Sequence, residues 1–152
     1  MNEKESNTYK EYKFSRDNIQ LINAHVVQIT LNKKVDTWEE ECINNLQAAI
    51  KLEVVDFENI LAYLKVNVKV KGKKNRRVMG DILVVCKGYF IGNPEIDNDD
   101  LERLVKLQAF PQLLPYIRSA IANLSTMMEV PTIVLPTIDI IKTIQVNSDL
   151  EE

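Results

Sequence analysis

Between residues 60 and 71 the chain alternates without a break: Ile60, Ala62, Leu64, Val66, Val68 and Val70 take one set of positions, and Lys65, Asn67, Lys69 and Lys71 the other. A period of two puts each set on one face of a pleated ribbon, so this stretch predicts a strand with one buried side. Residues 46–55 repeat the pattern, with Ala48, Ile50, Leu52 and Val54 facing one way and Gln47, Lys51 and Glu53 the other. The two stretches are separated by a short polar turn at residues 56–59, interrupted by Phe57, and together they predict an antiparallel hairpin. Residues 78–91 continue the alternation with Val78, Gly80, Ile82, Val84 and Cys86 on one face. Leu83 and Val85 make its other face more apolar than the hairpin's, and Gly88 marks a bulge or a close backbone approach. The first apolar stretch, residues 19–31, is less regular: Val27, Ile29 and Leu31 share one face, while Ile22, Ala24 and Val26 share the other. Either both faces are partly covered or a bulge shifts the phase.

Past residue 92 the period changes. The run GNPEIDNDD supplies a turn and an acidic helix entry, where carboxylates suit the positive end of the helix dipole. Leu101, Leu104, Val105 and Gln108 then predict a short helix ending before Pro111. A second helix is predicted to begin near residues 113–115, where Pro115 falls in the first turn, with Leu113, Ile117, Ala120, Leu124 and Met127 forming one apolar stripe. At about four turns this helix is roughly 22 Å long. Pro131 and Pro136 stop it and impose an extended T-I-V-L segment, and Ile138, Ile140, Ile141 and Ile144 suggest a last short helix or extended segment. Residues 32–45 are too long for a tight hairpin, so the strands they join are not expected to be simple neighbours; Asp36 and Glu39 could cap a helical turn or two around residues 38–44.

Four strands followed by helices predict an α+β fold, an antiparallel sheet with helices packed on one face. The chain divides into a flexible N-terminal arm (residues 1–16), one α+β domain (17–147) and an acidic tail (148–152). A sheet covered on one side leaves its other side to solvent or a partner, and Leu61, Tyr63, Leu83 and Val85 on that side mark an interaction surface.

Composition narrows the chemistry. A 45% hydrophobic and 27% charged chain of 152 residues is that of an ordinary globular protein. A net charge of -3 argues against a general nucleic-acid binder, and no apolar run approaches the ~18 residues of a membrane span. With a polar N-terminus, MNEKESNTYKEYK, the expected location is the cytoplasm. Cys42, Cys86 and the single His25 are too few for a metal set and read as two reduced thiols used as small apolar side chains. The acidic run at 95–100 lacks the ligand order of a calcium loop. Four glycines leave little material for a phosphate cradle. No cofactor and no enzymatic activity are expected; binding by shape and apolar contact remains. The basic run GKKNRR (residues 72–77) reads either as a site for an acidic partner or as a solvated turn in which Gly72 permits a positive φ.

These patterns also carry a family resemblance. The run LPYIRSAIANLSTMMEVPTIVLPTIDI resembles the C-terminal half of the SecB family of export chaperones: Pro115 and Tyr116 at the helix start, Arg118 two residues on, then a proline-bounded segment ending L-P-T-I-D. Upstream, V-C-K-G-Y-F looks like the close of that family's last strand, and the resemblance spans roughly residues 20–145. It implies an ATP-independent holdase that keeps client polypeptides unfolded, built as a homotetramer (a dimer of dimers) in which the first strand contributes to an intersubunit contact. It also implies a long apolar groove beside a crossover loop that carries an aromatic residue. The candidate lining is Trp38, Ile43 and Leu46 near the crossover, with Met127, Met128, Ile140, Ile141 and Ile144 near the last helix. A methionine-rich apolar groove accepts many sequences because it specifies little hydrogen bonding. Each of these residues also reads as monomer core, Trp38 as an anchor above all. In the family, acidic residues of the sheet contact the translocase motor; Gln28, Asn32 and Leu83 stand at those places here, which weakens the case for delivery to the motor. The implied partners are unfolded clients or, as in SecB-like relatives of toxin–antitoxin systems, an antitoxin. The alternative is an oligomeric adaptor or structural protein of the same fold that binds one specific partner.

Overall fold

In the computed structural model, which describes residues 2–135, the elements run α1 (Glu3–Asn18), β1 (Ile19–Lys33), β2 (Cys42–Asp56), β3 (Asn59–Gly72), β4 (Val78–Gly92) and α2 (Asn98–Met127). The sheet order is β1-β4-β3-β2 with every pair antiparallel. Thus β2/β3 and β3/β4 are hairpins, while residues 34–41 cross the end of the sheet from one edge strand to the other. No helical turn forms in this crossover, although Asp36 and Glu39 had the spacing of a cap. Glu39 instead serves the neighbouring hairpin, its Oε1 accepting from the Lys74 backbone N–H at 3.1 Å.

The strict alternation of β3 has its expected outcome: Ile60, Ala62, Leu64, Val66, Val68 and Val70 are all fully buried. Opposite them on β4 lie Gly80, Ile82, Val84, Cys86, Gly88 and Phe90. The register slips where Val70 pairs with Gly80 but Lys71 with Val78, so Met79 turns into the core and Val78 leaves the face that alternation assigned it. The phase ambiguity of β1 resolves as bulges, with register shifts between Leu21 and Asn23 and between Val26 and Gln28. Each leaves one extra residue, Ile22 and Val27, outside the ladder. At the β3–β4 turn Arg76, not Gly72, takes the left-handed conformation (φ 56°), and the Asn75 side chain accepts from the Arg77 N–H at 2.8 Å.

Two expectations for the helices change. The region before residue 19 is helical rather than a flexible arm: Asn2 and Glu5 form a capping box for α1, and Ser15 is fully buried. Its partner is α2, where Gln108 Nε2 donates to Ser15 Oγ at 2.7 Å and Arg103 pairs with Glu11. The two helices expected on either side of Pro111 are one, because the buried stripe from Leu101 through Val105, Gln108, Leu113, Ile117, Ile121 and Leu124 runs straight through both prolines. Pro111 is half-buried and Pro115 exposed, so both rings lie off the buried stripe, on the side of the helix where water can serve the carbonyls they leave unpaired. Both α2 and the sheet's inner side are thereby covered from one face.

The end of α2 follows the expected proline stop. Glu129 adopts a left-handed φ of 57°, its N–H donates to the Thr126 carbonyl, and the Val130 N–H donates to that of Ser125, the paired bonds of a Schellman close. Ile133 and Leu135 then return to the core with Val134 exposed between them. The segment expected around Ile138 to Ile144, and the tail at 148–152, lie outside the described residues.

Candidate polypeptide-binding surfaces

Helix α2 lies diagonally across the sheet. It starts beside the end of β2, where Asn98 Nδ2 donates to the Val55 carbonyl at 3.0 Å, passes over Gly88, which Leu113 crowds, and ends beside β1, where Lys33 Nζ donates to the Met128 carbonyl at 3.1 Å. A diagonal helix leaves two corners of the inner face. Beside the start of β1 the corner is occupied by α1 through Ser15 and Gln108. The corner above the start of β2 is only partly filled, by the crossover.

The crossover is fastened at its ends. Lys34 N–H donates to the Met79 carbonyl at 2.8 Å, Glu39 N–H to Met79 Sδ at 3.4 Å, and Lys73 N–H to the Glu41 carbonyl at 3.1 Å. Between these points Trp38 packs against Gly80 through the Cζ2 and Cη2 atoms of its ring and is 9% exposed. The Trp38 Nε1, Glu39 Oε2 and Asn44 Oδ1 atoms are buried without a hydrogen-bond partner among the described residues.

What stays open is a margin along β2. Leu46, Ile50, Leu52 and Val54 point to the helix side yet are half-buried, and Ala48 between them is exposed, while their β3 partners Val68, Val66, Leu64, Ala62 and Ile60 are fully buried. The apolar character continues onto both sheet edges, with Ile43 (40%) and Val55 (70%) exposed on β2 and Ile22, Val27 and Ile29 exposed on β1. Both edge strands are 15 residues long with one side of the backbone free of sheet partners among the described residues, the arrangement onto which another extended chain can add. Along α2 and beyond it, Tyr116, Met127 (77%) and Val134 (68%) face solvent.

Of the residues proposed from sequence, Leu46 sits on the open margin and Trp38 stands at its end as a core anchor. Ile43 pairs with Lys71 and faces the opposite side of the sheet. Met127 is exposed at the end of α2, whereas the adjacent Met128 is 6% exposed and belongs to the core. Ile140, Ile141 and Ile144 lie outside the described residues. The edge residues Ile22 and Val27 were missed as surface groups, although the broken alternation of β1 was their signal. The thiols are unsuited to nucleophilic work. Burial pushes Cys86 up to about 11, and burial, then the nearby Glu39 carboxylate, raises Cys42. His25 pairs with Lys87 on the outer side of the sheet, away from both. Among the described residues no His/Cys/Asp/Glu group could hold a metal ion, and no helix is long and apolar enough to cross a membrane.

This arrangement has a counterpart among solved structures. The SecB-like chaperone Rv1957 of Mycobacterium tuberculosis, solved in complex with a ChAD peptide from the Rv1956 HigA1 antitoxin, superimposes with a TM-score of 0.67 over 86% of this chain and 97% of its own, at 11% identity. The fold is SecB-like. The resemblance in residues 114–140 and the α+β architecture expected from the alternation are borne out at that level. A protein of unknown function from Streptococcus agalactiae is also similar, with a TM-score of 0.38, 16% identity and coverage of 78% of this chain and 97% of its own. No protein-family model and no curated protein matches the sequence. The SecB-like fold therefore rests on shape, and what it holds rests on the surfaces described above.

Proposed function

We propose that this protein is a SecB-like molecular chaperone, an ATP-independent holdase that keeps extended polypeptide segments from folding or aggregating. The observation that carries the reading is the open margin of β2, where Leu46, Ala48, Ile50 and Leu52 remain accessible beside a sheet whose centre is fully buried. An extended guest lying there removes apolar surface from water and reaches the free backbone edge of β2, a combination that gives affinity with little sequence demand. The neighbour's complex with an antitoxin peptide supports this reading, and an antitoxin is the favoured client here. Delivery to a secretion motor is less favoured, since the outer-face positions Gln28, Asn32 and Leu83 carry no acid.

Self-association belongs to the same proposal. The β1 edge exposes Ile22, Val27 and Ile29 at 47–49% next to backbone groups without a strand partner among the described residues, and a second copy added edge to edge would cover both. Residence in the cytoplasm and assembly as a tetramer complete the expectation.

The test is suppression of light scattering by several unrelated denatured proteins without nucleotide, together with native mass of the free protein. Ala48→Asp places charge at the exposed position of the margin and is expected to reduce suppression while leaving the unfolding midpoint near that of the parent. Binding of one partner with indifference to denatured proteins would replace the holdase by a specific adaptor, and a monomer that protects nothing would end the proposal.

A further inference from the structure

The outer side of the sheet carries no covering element among the described residues, and its charge runs against that of the molecule. The chain as a whole is acidic at -3. Yet along β3 the outward positions after Tyr63 are Lys65, Asn67, Lys69 and Lys71, with Lys65 and Lys69 exposed. The neighbouring strands add Lys51, which pairs with Tyr63 across β2, and Lys87, whose Nζ lies 5.8 Å from the centre of the Tyr63 ring. The two acids of this face are engaged: Asp81 with Lys34 at 3.7 Å and with Asn32 Nδ2 at 3.2 Å, and Glu53 with Lys51 at 3.9 Å. Lys65, Lys69 and Lys71 form no ion pair among the described residues. At the Lys65 end of this row is a shallow depression whose lining includes Ala49, Tyr63 and Val85 together with Lys51, Lys65 and the Lys51-paired Glu53.

We infer that this face docks an acidic segment of a partner polypeptide, laid in extended form along β3. Successive outward side chains of a strand stand about 6.8 Å apart, and an extended peptide lying parallel to it presents its own same-side groups at that interval. Carboxylates four and six residues along from a first one therefore meet Lys69 and Lys71 when the first meets Lys65. The depression beside Val85 and Tyr63 receives an apolar side chain next to the carboxylate that meets Lys65. A short acidic segment stays within the reach of the lysines, about 8 Å of screening length at physiological salt. The chain's net charge of -3 opposes a long polyanion, whose affinity depends on how many of its phosphates are neutralised, and this favours a short acidic peptide over nucleic acid. This surface is on the opposite side of the sheet from the α2 margin, so its occupancy is independent of client holding.

Fluorescence anisotropy with a fluorescein-labelled oligoglutamate peptide tests the inference on the full chain, with a single-stranded oligonucleotide and phosphatidylserine vesicles run in parallel. The expected result is saturable peptide binding that weakens with salt. It should fall at least about tenfold in Lys65→Gln/Lys69→Gln/Lys71→Gln, further in the corresponding glutamate variant, and little in Lys10→Gln/Lys13→Gln on α1, which packs on α2 at the other side of the sheet. Thermal unfolding of the glutamine variant confirms its fold should the glutamate variant fail to fold. Peptide binding unchanged by the glutamine substitutions, or tighter binding of the oligonucleotide or the vesicles than of the peptide, overturns the inference. Loss of aggregation suppression in the margin variant, with peptide binding intact, leaves it standing.

Discussion

Gly80→Ala tests how the crossover is held over the sheet. A methyl group at this position would stand 2.6 Å from Trp38 Cζ2 and 2.9 Å from the Asn32 carbonyl oxygen. Carbon contacts settle near 3.5–4.0 Å, so the methyl must displace the indole ring by roughly 1 Å and press on a backbone group. The carbonyl cannot retreat freely, because Asn32 is paired in register with Asp81. The ring can move, at the expense of burial. Overpacking of this kind costs about 1–3 kcal/mol, and with both contacts engaged the expected loss is about 2 kcal/mol. Trp38 is the single tryptophan, so its emission reports on this contact directly. Urea unfolding followed by both tryptophan fluorescence and far-ultraviolet circular dichroism should show the destabilisation and a red-shifted native emission. In a Trp38→Ala background the ring contact is gone and the carbonyl contact remains, so the same glycine substitution should cost about half as much, giving a coupling of about 1 kcal/mol. Equal costs in the two backgrounds, or an unchanged emission maximum in Gly80→Ala, would refute the packing argument.

Two further outcomes can be checked with the same instruments. Ser125 is fully buried, donating to the Ile121 carbonyl and accepting from the Ile133 N–H, each at 2.9 Å; Ser125→Ala strands that N–H in the core and should cost about 1–3 kcal/mol, read as a lower unfolding temperature. The buried Cys86 thiol, raised from 9.0 to about 11, keeps its proton in the folded chain after the unfolded chain has lost it. Because the folded state then binds more protons, stability should fall as pH rises through that window and level off above it, by at most about 3 kcal/mol. Cys86→Ala should lack this part of the decline when the difference between the two proteins is followed against pH.

Much of the fold is written in periodicity. The β3 alternation from Ile60 to Val70 specifies a strand buried on one side, and the length of the segment between Lys33 and Cys42 rules out a tight hairpin there, so two hairpins and a crossover follow from local pattern alone. The stripe from Leu113 to Leu124 and the stop before Pro131 are equally local. Its continuation through Pro111 and Pro115 is not. Whether a proline is tolerated depends on which way the unpaired carbonyls turn, and that depends on the face that packs on the sheet. The helix at Glu3–Asn18 had no apolar period to announce it, because its burial comes from polar groups, Ser15 meeting Gln108, rather than from a greasy stripe.

The binding surface divides in the same way. Sequence by itself determined that residues 46–55 and 60–71 each have one apolar side, that the thiols are few, and that Leu46, Ile50 and Leu52 share a face. Tertiary structure alone decided how far each inward face is covered, since the diagonal of α2 buries the inner face of β3 completely and leaves the β2 margin partly open. It also separated Met127 from Met128, neighbours in sequence that a helix of 3.6 residues per turn places about 100° apart, one toward water and the other into the core. Alternation fixes which residues lie on the same side, but burial depends on where a distant element lands, and no window of local sequence contains that information.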